Sequence, residues 1–458
     1  MGLARKNETD MTKGSLFKKL IIFTFPIILT NVMQFLFNVA DMAVLGIMPS
    51  GGDTSVAAVG STASLVSLVT CLFVGLSIGG QVVLSRKIGE GNVEGARKTV
   101  GTAIIISLIS GVILVAIGIP LARVLLKLMK CPDSIIDLAT LYLVIYFSGM
   151  PAVLMYNFLS SIMRAVGDSM RPMIILAVSG ILNVGLNVFF MAVFKMNVQG
   201  VAIGTVVSQL FSAIVLLILV LKNKGYARLE KKYFRIDKTA FKEILKVGIP
   251  SGVNSALYAV SNMLIQSAVN SFGEMCVAGN SSAYQIDNVI YISGCSSVGI
   301  SCMTALAQNV GAGNVKRAKQ SFFYACLISL CICVVLGTVA TLLSNQINGI
   351  FVDSPQALEY AFTRTLIRCP FMFLCGFYEV TCNSLKAIGK ATQAMIVSFF
   401  GACVFRVVWV LTVCKIYNSY ALLQISYPIS HLLVSVVCFI ILWRNIKKIE
   451  RERLGATE

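Results

Sequence analysis

Twelve long apolar runs follow one another along this chain and leave room for little else. They fall at roughly 16–47, 54–85, 95–120, 133–163, 172–195, 198–222, 240–270, 276–308, 317–345, 355–385, 392–415 and 418–443. About 20 apolar residues make a helix long enough to cross a bilayer core. Inside lipid every backbone N–H and C=O must be satisfied within the spanning structure. Runs of this length therefore predict helices rather than the alternating strands of a barrel. Of the 458 residues, 57% are hydrophobic and 13% charged; a soluble protein has roughly 25% charged residues. The expectation is an all-α integral membrane protein with twelve transmembrane helices. No cleavable signal peptide is expected, since the first run is long and no small-residue cleavage site follows a short apolar core.

A net charge of +18 invites a nucleic-acid partner, but the placement of the charges argues against one. With the N terminus in the cytoplasm, 30 of the 38 Lys and Arg fall in cytoplasmic segments and 7 in external ones, leaving Arg406 alone deep in a span. This is the asymmetry of the positive-inside rule. It places both termini in the cytoplasm and makes membrane lipids, through their anionic headgroups, the partner of the basic surface. The 14 cysteines include no CxxC and lie mostly within spans, as small packing residues do. A single histidine, His431, cannot build a histidine-rich metal site. No Ser/His/Asp grouping, phosphate loop or dinucleotide fingerprint is present, so the chain does not read as an enzyme and calls for no organic cofactor. The one extended cytoplasmic segment, 223–240, is too short for an ATPase domain. Transport by this chain would have to be driven by an ion gradient.

The chain also repeats itself. GEGNVEGARK at 89–98 recurs as GAGNVKRAKQ at 311–320, and RAVGDSMRPM at 164–173 as KAIGKATQAM at 386–395; both pairs are 222 residues apart. Pro26 and Pro250 stand early in the first span of each half. The offset covers six crossings, an even number, so equivalent helices point the same way through the membrane, as in a parallel repeat. The expected organisation is an N-terminal six-helix lobe (1–222), a cytoplasmic linker (223–240) and a C-terminal six-helix lobe (241–458).

Polar residues inside spans mark faces turned away from lipid. Asn31, Gln34, Asn38 and Asp41 recur at spacings of three and four, on one face of helix 1. Asn183 and Asn187 stack on helix 5, Thr205 lies on helix 6, and Asn157 on helix 4. In the second half Tyr258 and Asn262 share a face of helix 7, and Tyr284 and Asp287 a face of helix 8. Glu379 occupies the position that Asn157 holds in the first half. Arg406 on helix 11 is expected to pair with Glu379 or Asp287. Asp41 has no basic residue in the membrane part of its own lobe, and an intramembrane acid of that kind is a functional-site candidate. Pro26 removes a helix hydrogen bond and is the expected hinge of helix 1.

Taken in order, Pro26, the NVADMAVLG acid, the Gly-Asn loops after helices 2 and 8, and RAVGD after helix 4 resemble the multidrug and toxic compound extrusion (MATE) family over nearly the whole chain. The resemblance implies two six-helix lobes forming a V around a central cavity. It implies a secondary active antiporter that exports lipophilic organic cations in exchange for H+ or Na+ by alternating access. It implies a cation-coupling set of Asp41, Asn183, Asn187 and Thr205, with Na+ at Asp41 the only metal; the polar faces read above make Gln34, Asn38, Asn157, Tyr258, Asn262, Tyr284, Asp287 and Glu379 the expected lining of the substrate cavity. Asn187 departs from the family, where an Asp is often found. A monomer in the cell membrane is expected.

Two transporters of other kinds compete with this reading. A lipid-linked oligosaccharide flippase of the same broad superfamily would have about fourteen helices and a more basic cavity. A major facilitator would carry an Asp-Arg and Gly-Arg-Arg pattern where GEGNVEGARK stands.

Overall fold

The computed structural model of the chain describes residues 9–48 and 52–454. Among these residues there are helices, turns and no strand. Contacts divide the chain into two compact units. Of the described residues, one unit comprises Thr9, Asp10, 29–48 and 52–252; the other comprises Met11–Ile28 and 253–454.

The first unit is built from the second part of α1 (Leu16–Ile47), then α2 (Asp53–Gly89), α3 (Val93–Leu128), α4 (Ile136–Ser148), α5 (Met150–Ala165), α6 (Met170–Ala192), α7 (Val198–Lys222) and the start of α8 (Lys238–Asn270). The second takes the start of α1 and the rest of α8. It continues through α9 (Glu274–Ile290), α10 (Ser297–Gly311), α11 (Val315–Leu342), the short α12 (Ser344–Asn348), α13 (Pro355–Arg368) and α14 (Met372–Ala387). The last helices are α15 (Ala391–Ser398), α16 (Phe405–Trp409), α17 (Lys415–Tyr417) and α18 (Tyr420–Leu454). Thus α1 and α8 each belong to both units, and each changes unit just beyond its proline, Pro26 or Pro250.

Among the described residues, nine helices are long and apolar enough to cross a membrane, and α4 with α5, bent by 48°, makes a tenth if the pair is taken as one span. The two remaining expected spans are helical but less apolar. One is α8, which carries Asn254, Tyr258, Asn262, Gln266 and Asn270. The other is α13 with α14, interrupted at Cys369–Phe371 around Pro370 and carrying Arg364, Arg368 and Glu379. These polar residues lower the hydropathy, and Tyr258, Asn262, Gln266, Arg364 and Arg368 among them line a cavity of the second unit. Lipid-facing positions read the opposite way, with Ile181, Val112 and Leu128 fully apolar and exposed. The cores inside each unit are apolar too: Leu143, Phe147, Leu154 and Val201 pack in the first, and Ile265, Val269 and Leu423 in the second.

The repeated motifs adopt repeated geometry. Gly91 and Gly313 both have positive φ, 69° and 79°, a conformation that favours glycine. The next residue caps the following helix in both copies: Asn92 Oδ1 accepts from Gly95 N at 2.8 Å, and Asn314 Oδ1 from Arg317 N at 3.0 Å. Gly167 and Gly389, in the second repeated motif, match likewise at 85° and 78°. The segment after α7 is more than a solvated connection. Arg97 on α3 pairs with Glu230 at 2.6 Å, and the Thr102 hydroxyl accepts from Asp237 N at 3.0 Å, so the linker is pinned along α3.

Small residues let α2 meet the first part of α8 at backbone distance. A Cβ on Gly75 would overlap the backbone of Gly252, and one on Gly79 the carbonyl of Ile244. Close approach through glycine is a common way for helices to pack in lipid. Gly75→Ala is expected to force the pair apart at a cost of about 1–3 kcal/mol, seen as a lower melting temperature in detergent. Gly60→Ala is the control: its Cβ would meet only the Met42 methyl, at 3.9 Å, so neutral or slightly raised stability is expected.

Candidate functional site

The polar face of α1 meets α6 and α7 at Asp41. Asn187 Nδ2 donates to Asp41 Oδ1 at 2.6 Å. In the orientation that satisfies both ends of its amide, Asn183 Nδ2 donates to the same Oδ1 at 2.8 Å while its oxygen accepts from Thr205 N at 3.3 Å. The Thr205 hydroxyl lies 3.4 Å from Asp41 Oδ2, but it has a better acceptor in Val201 O at 2.9 Å. One carboxylate oxygen is therefore held by two amides, and the other has only a long contact. Gly204 makes this possible, since a Cβ there would strike Asn187 Oδ1.

Asp41 borders two cavities of the first unit, of about 340 and 510 Å³. Gln34, Asn38 and Asn157 line the smaller one, where Asp41 is the only carboxylate. Asn157 also donates to Val153 O at 2.8 Å, so its amide is partly spent within its own helix. Tyr142 and Tyr146, stacked with centroids 6.0 Å apart, line the larger one and offer an aromatic wall.

The remaining candidates lie in the second unit. Tyr258, Asn262, Tyr284 and Asp287 line a cavity of about 240 Å³ there. Glu379 is not part of its lining: it accepts from Tyr291 Oη at 2.9 Å and from Asn383 Nδ2 at 3.0 Å. The expected Arg406 ion pair is not formed. Asp287 is taken by Arg364 at 2.9 Å and Arg368 at 3.0 Å. Arg406, fully buried, instead donates to Ser430 Oγ at 2.8 Å, His431 Nε2 at 2.9 Å and Tyr258 Oη at 3.3 Å. Nor is Arg406 the only deep basic residue. Arg364 and Arg368, which the apolar-run reading assigns to the outer side, turn inward on α13, Arg364 buried and Arg368 mostly so. Their spacing of four, which puts both on one helical face, is the signal in the sequence that could have found them.

The two halves of the chain also match one family model separately. The MatE model aligns with residues 26–189 and again with 250–412, each match beginning at the proline of the repeat. The chain belongs to the MATE family. Its MATE relatives include the probable multidrug resistance protein YpnP of Bacillus subtilis, 28% identical over 87% of this chain and 88% of the relative. The probable multidrug resistance protein NorM of Thermotoga maritima is 24% identical, with 83% and 82% covered. Among solved structures, a MOP superfamily transporter from Pyrococcus furiosus superposes with a TM-score of 0.89 at 22% identity, over 96% of this chain and 98% of that one. As a MATE protein the chain is a multi-pass membrane transporter rather than an enzyme. Its fold is the twelve-helix MATE fold.

Proposed function

We propose that this MATE protein is a proton-coupled antiporter that exports lipophilic organic cations from the cell by alternating access. The observation that carries this reading is the Asp41 site. A single carboxylate stands at a cavity wall with two amide N–H groups on Oδ1 and an under-used Oδ2. A hard metal cation is held by several oxygens at once, whereas the nearest groups here turn hydrogens towards the acid. A proton needs only Oδ2.

In the proposed cycle, ionised Asp41 attracts the cation while the tyrosine faces add cation–π contact. A proton entering from outside neutralises Oδ2, removes that attraction and favours release. The membrane potential adds about 2.3 kcal/mol per charge per 100 mV to the drive. Pro26 is the proposed hinge. Its ring removes a backbone donor, and α1 changes unit just beyond it. The protein is proposed to sit in the cell membrane as a monomer, both termini cytoplasmic, with its basic cytoplasmic segments against anionic lipid.

The test is efflux of a fluorescent lipophilic cation from proteoliposomes, with proton and sodium gradients imposed one at a time. The proton gradient is expected to drive efflux and the sodium gradient to leave it at background. Sodium-driven efflux would transfer the coupling role to Na+ at the same acid. Efflux under neither gradient would remove the cation-exporter reading.

A further inference from the structure

The second unit carries more positive charge in its interior than its acids neutralise. Arg364 and Arg368 share one carboxylate, Asp287. Glu379 is engaged by Tyr291 and Asn383 and forms no ion pair among the described residues. Arg406 has only neutral partners. Arginine cannot accept a hydrogen bond, so the His431 Nε2 that faces it must be unprotonated. The ring of Tyr427 bears two guanidinium groups, Arg368 at 3.9 Å and Arg406 at 4.1 Å from its centroid. An uncompensated guanidinium is costly inside a membrane, and buried charges are found paired. This arrangement calls for a further anion.

The space for one lies beside these groups. The cavity of about 240 Å³ is walled by Arg364, Arg368, Tyr258, Tyr427 and His431, with Gln424 among its other residues. Each nitrogen of Arg364 already has a partner, with Nε and Nη2 on Asp287 and Nη1 on Asn280. Arg368 gives Asp287 only Nη1, so among the described residues two of its donor nitrogens are left for a ligand. Gln424 is fully buried, and its Oε1 has no hydrogen-bond partner among the described residues; it can accept from a ligand hydroxyl. Tyr284 and Tyr258 also line it.

We propose that this cavity is a binding site for the anionic group, carboxylate or phosphate, of an organic molecule. Arg368 makes the direct contact, and Arg406 supplies charge from behind Tyr258 and Tyr427. The site is independent of Asp41 and stands whether or not that acid couples transport.

Riboflavin and flavin mononucleotide share one ring system and differ by a phosphate, so they isolate the anionic contribution. Their binding to the full-length protein in phosphatidylcholine nanodiscs is read by flavin fluorescence. The mononucleotide is expected to bind at least about tenfold tighter, the lower end of what a charge-assisted hydrogen bond provides. Inorganic phosphate is expected to compete with it. Arg368→Gln, which leaves Asp287 paired with Arg364, is expected to abolish the preference at unchanged melting temperature, and Arg368→Lys to retain part of it. Adding phosphatidylglycerol to the discs separates the sources: lost flavin binding assigns the site to a lipid headgroup, and unchanged binding to a soluble anion. Equal affinity for the two flavins without competition by phosphate would overturn the proposal, as would a folded Arg368→Gln protein that keeps the preference. Cation efflux driven through Asp41 in a protein with no anion preference would show that this inference alone had failed.

Discussion

Asp41→Asn is expected to leave a folded, membrane-inserted protein whose proton-driven cation efflux falls to that of liposomes without protein. The substitution keeps the shape of the side chain. Oδ1 remains an acceptor for the amides of Asn187 and Asn183, at 2.6 and 2.8 Å. The new amide nitrogen replaces Oδ2, 3.4 Å from the Thr205 hydroxyl, which can accept a hydrogen bond. Hydrogen bonding is thus conserved and the stability change should stay within about 1 kcal/mol. What disappears is the charge that attracts the cation and the site that takes the proton. Size-exclusion profile and melting temperature in detergent check the fold; proteoliposome efflux checks the function. Wild-type efflux from the folded variant would refute the role of Asp41.

The other large effect is of the opposite kind. Asp287→Asn, at the acid of the second unit, is expected to destabilise the protein by about 3–5 kcal/mol, the usual result of removing one partner of a buried ion pair. Asp287 is 2% exposed and is the only carboxylate paired with Arg364 and Arg368 among the described residues. Neutralising it adds two more guanidinium groups to the unbalanced charge already present at Arg406. Loss of monodisperse protein and a strongly lowered melting temperature are the expected readouts. Adding Arg368→Gln to the same chain should recover part of the loss by removing one of the stranded charges. A fully stable Asp287→Asn protein would show that its carboxylate does not hold this cluster together.

The contrast between these two acids shows what could be read from the residues alone. The face of helix 1 was legible because i, i+3 and i+4 spacing fixes which side chains stack. The repeated loops were legible because glycine is favoured at the positive φ that Gly91 and Gly313 share. The partner of Arg406 was not legible, because a pairing across helices depends on how they pack. Arg364 and Arg368 were misplaced for a physical reason: charges clustered near the end of a moderately apolar run look like an external loop. Only the packing of α13 against α9 shows that both arginines turn inward onto Asp287. The π-helical stretches Tyr291–Ser296, Phe399–Val404 and Val410–Cys414, all in the second unit, left no mark in the apolar pattern. They change hydrogen-bond register, not hydropathy.

The charge asymmetry between the units bears on the rival function. At the sequence level a lone deep arginine argues against a lipid-linked oligosaccharide flippase. The structure adds Arg364 and Arg368 to Arg406 among the described residues, so basicity no longer separates the readings; the twelve-helix MATE fold still does.

The most direct test of the central claim is proton exchange on substrate binding. A lipophilic cation is added to purified wild-type protein in weakly buffered detergent solution near neutral pH, and the pH is followed. If cation and proton compete for Asp41, wild-type protein releases protons on binding and Asp41→Asn protein releases none. Equal proton release from both proteins would contradict the account.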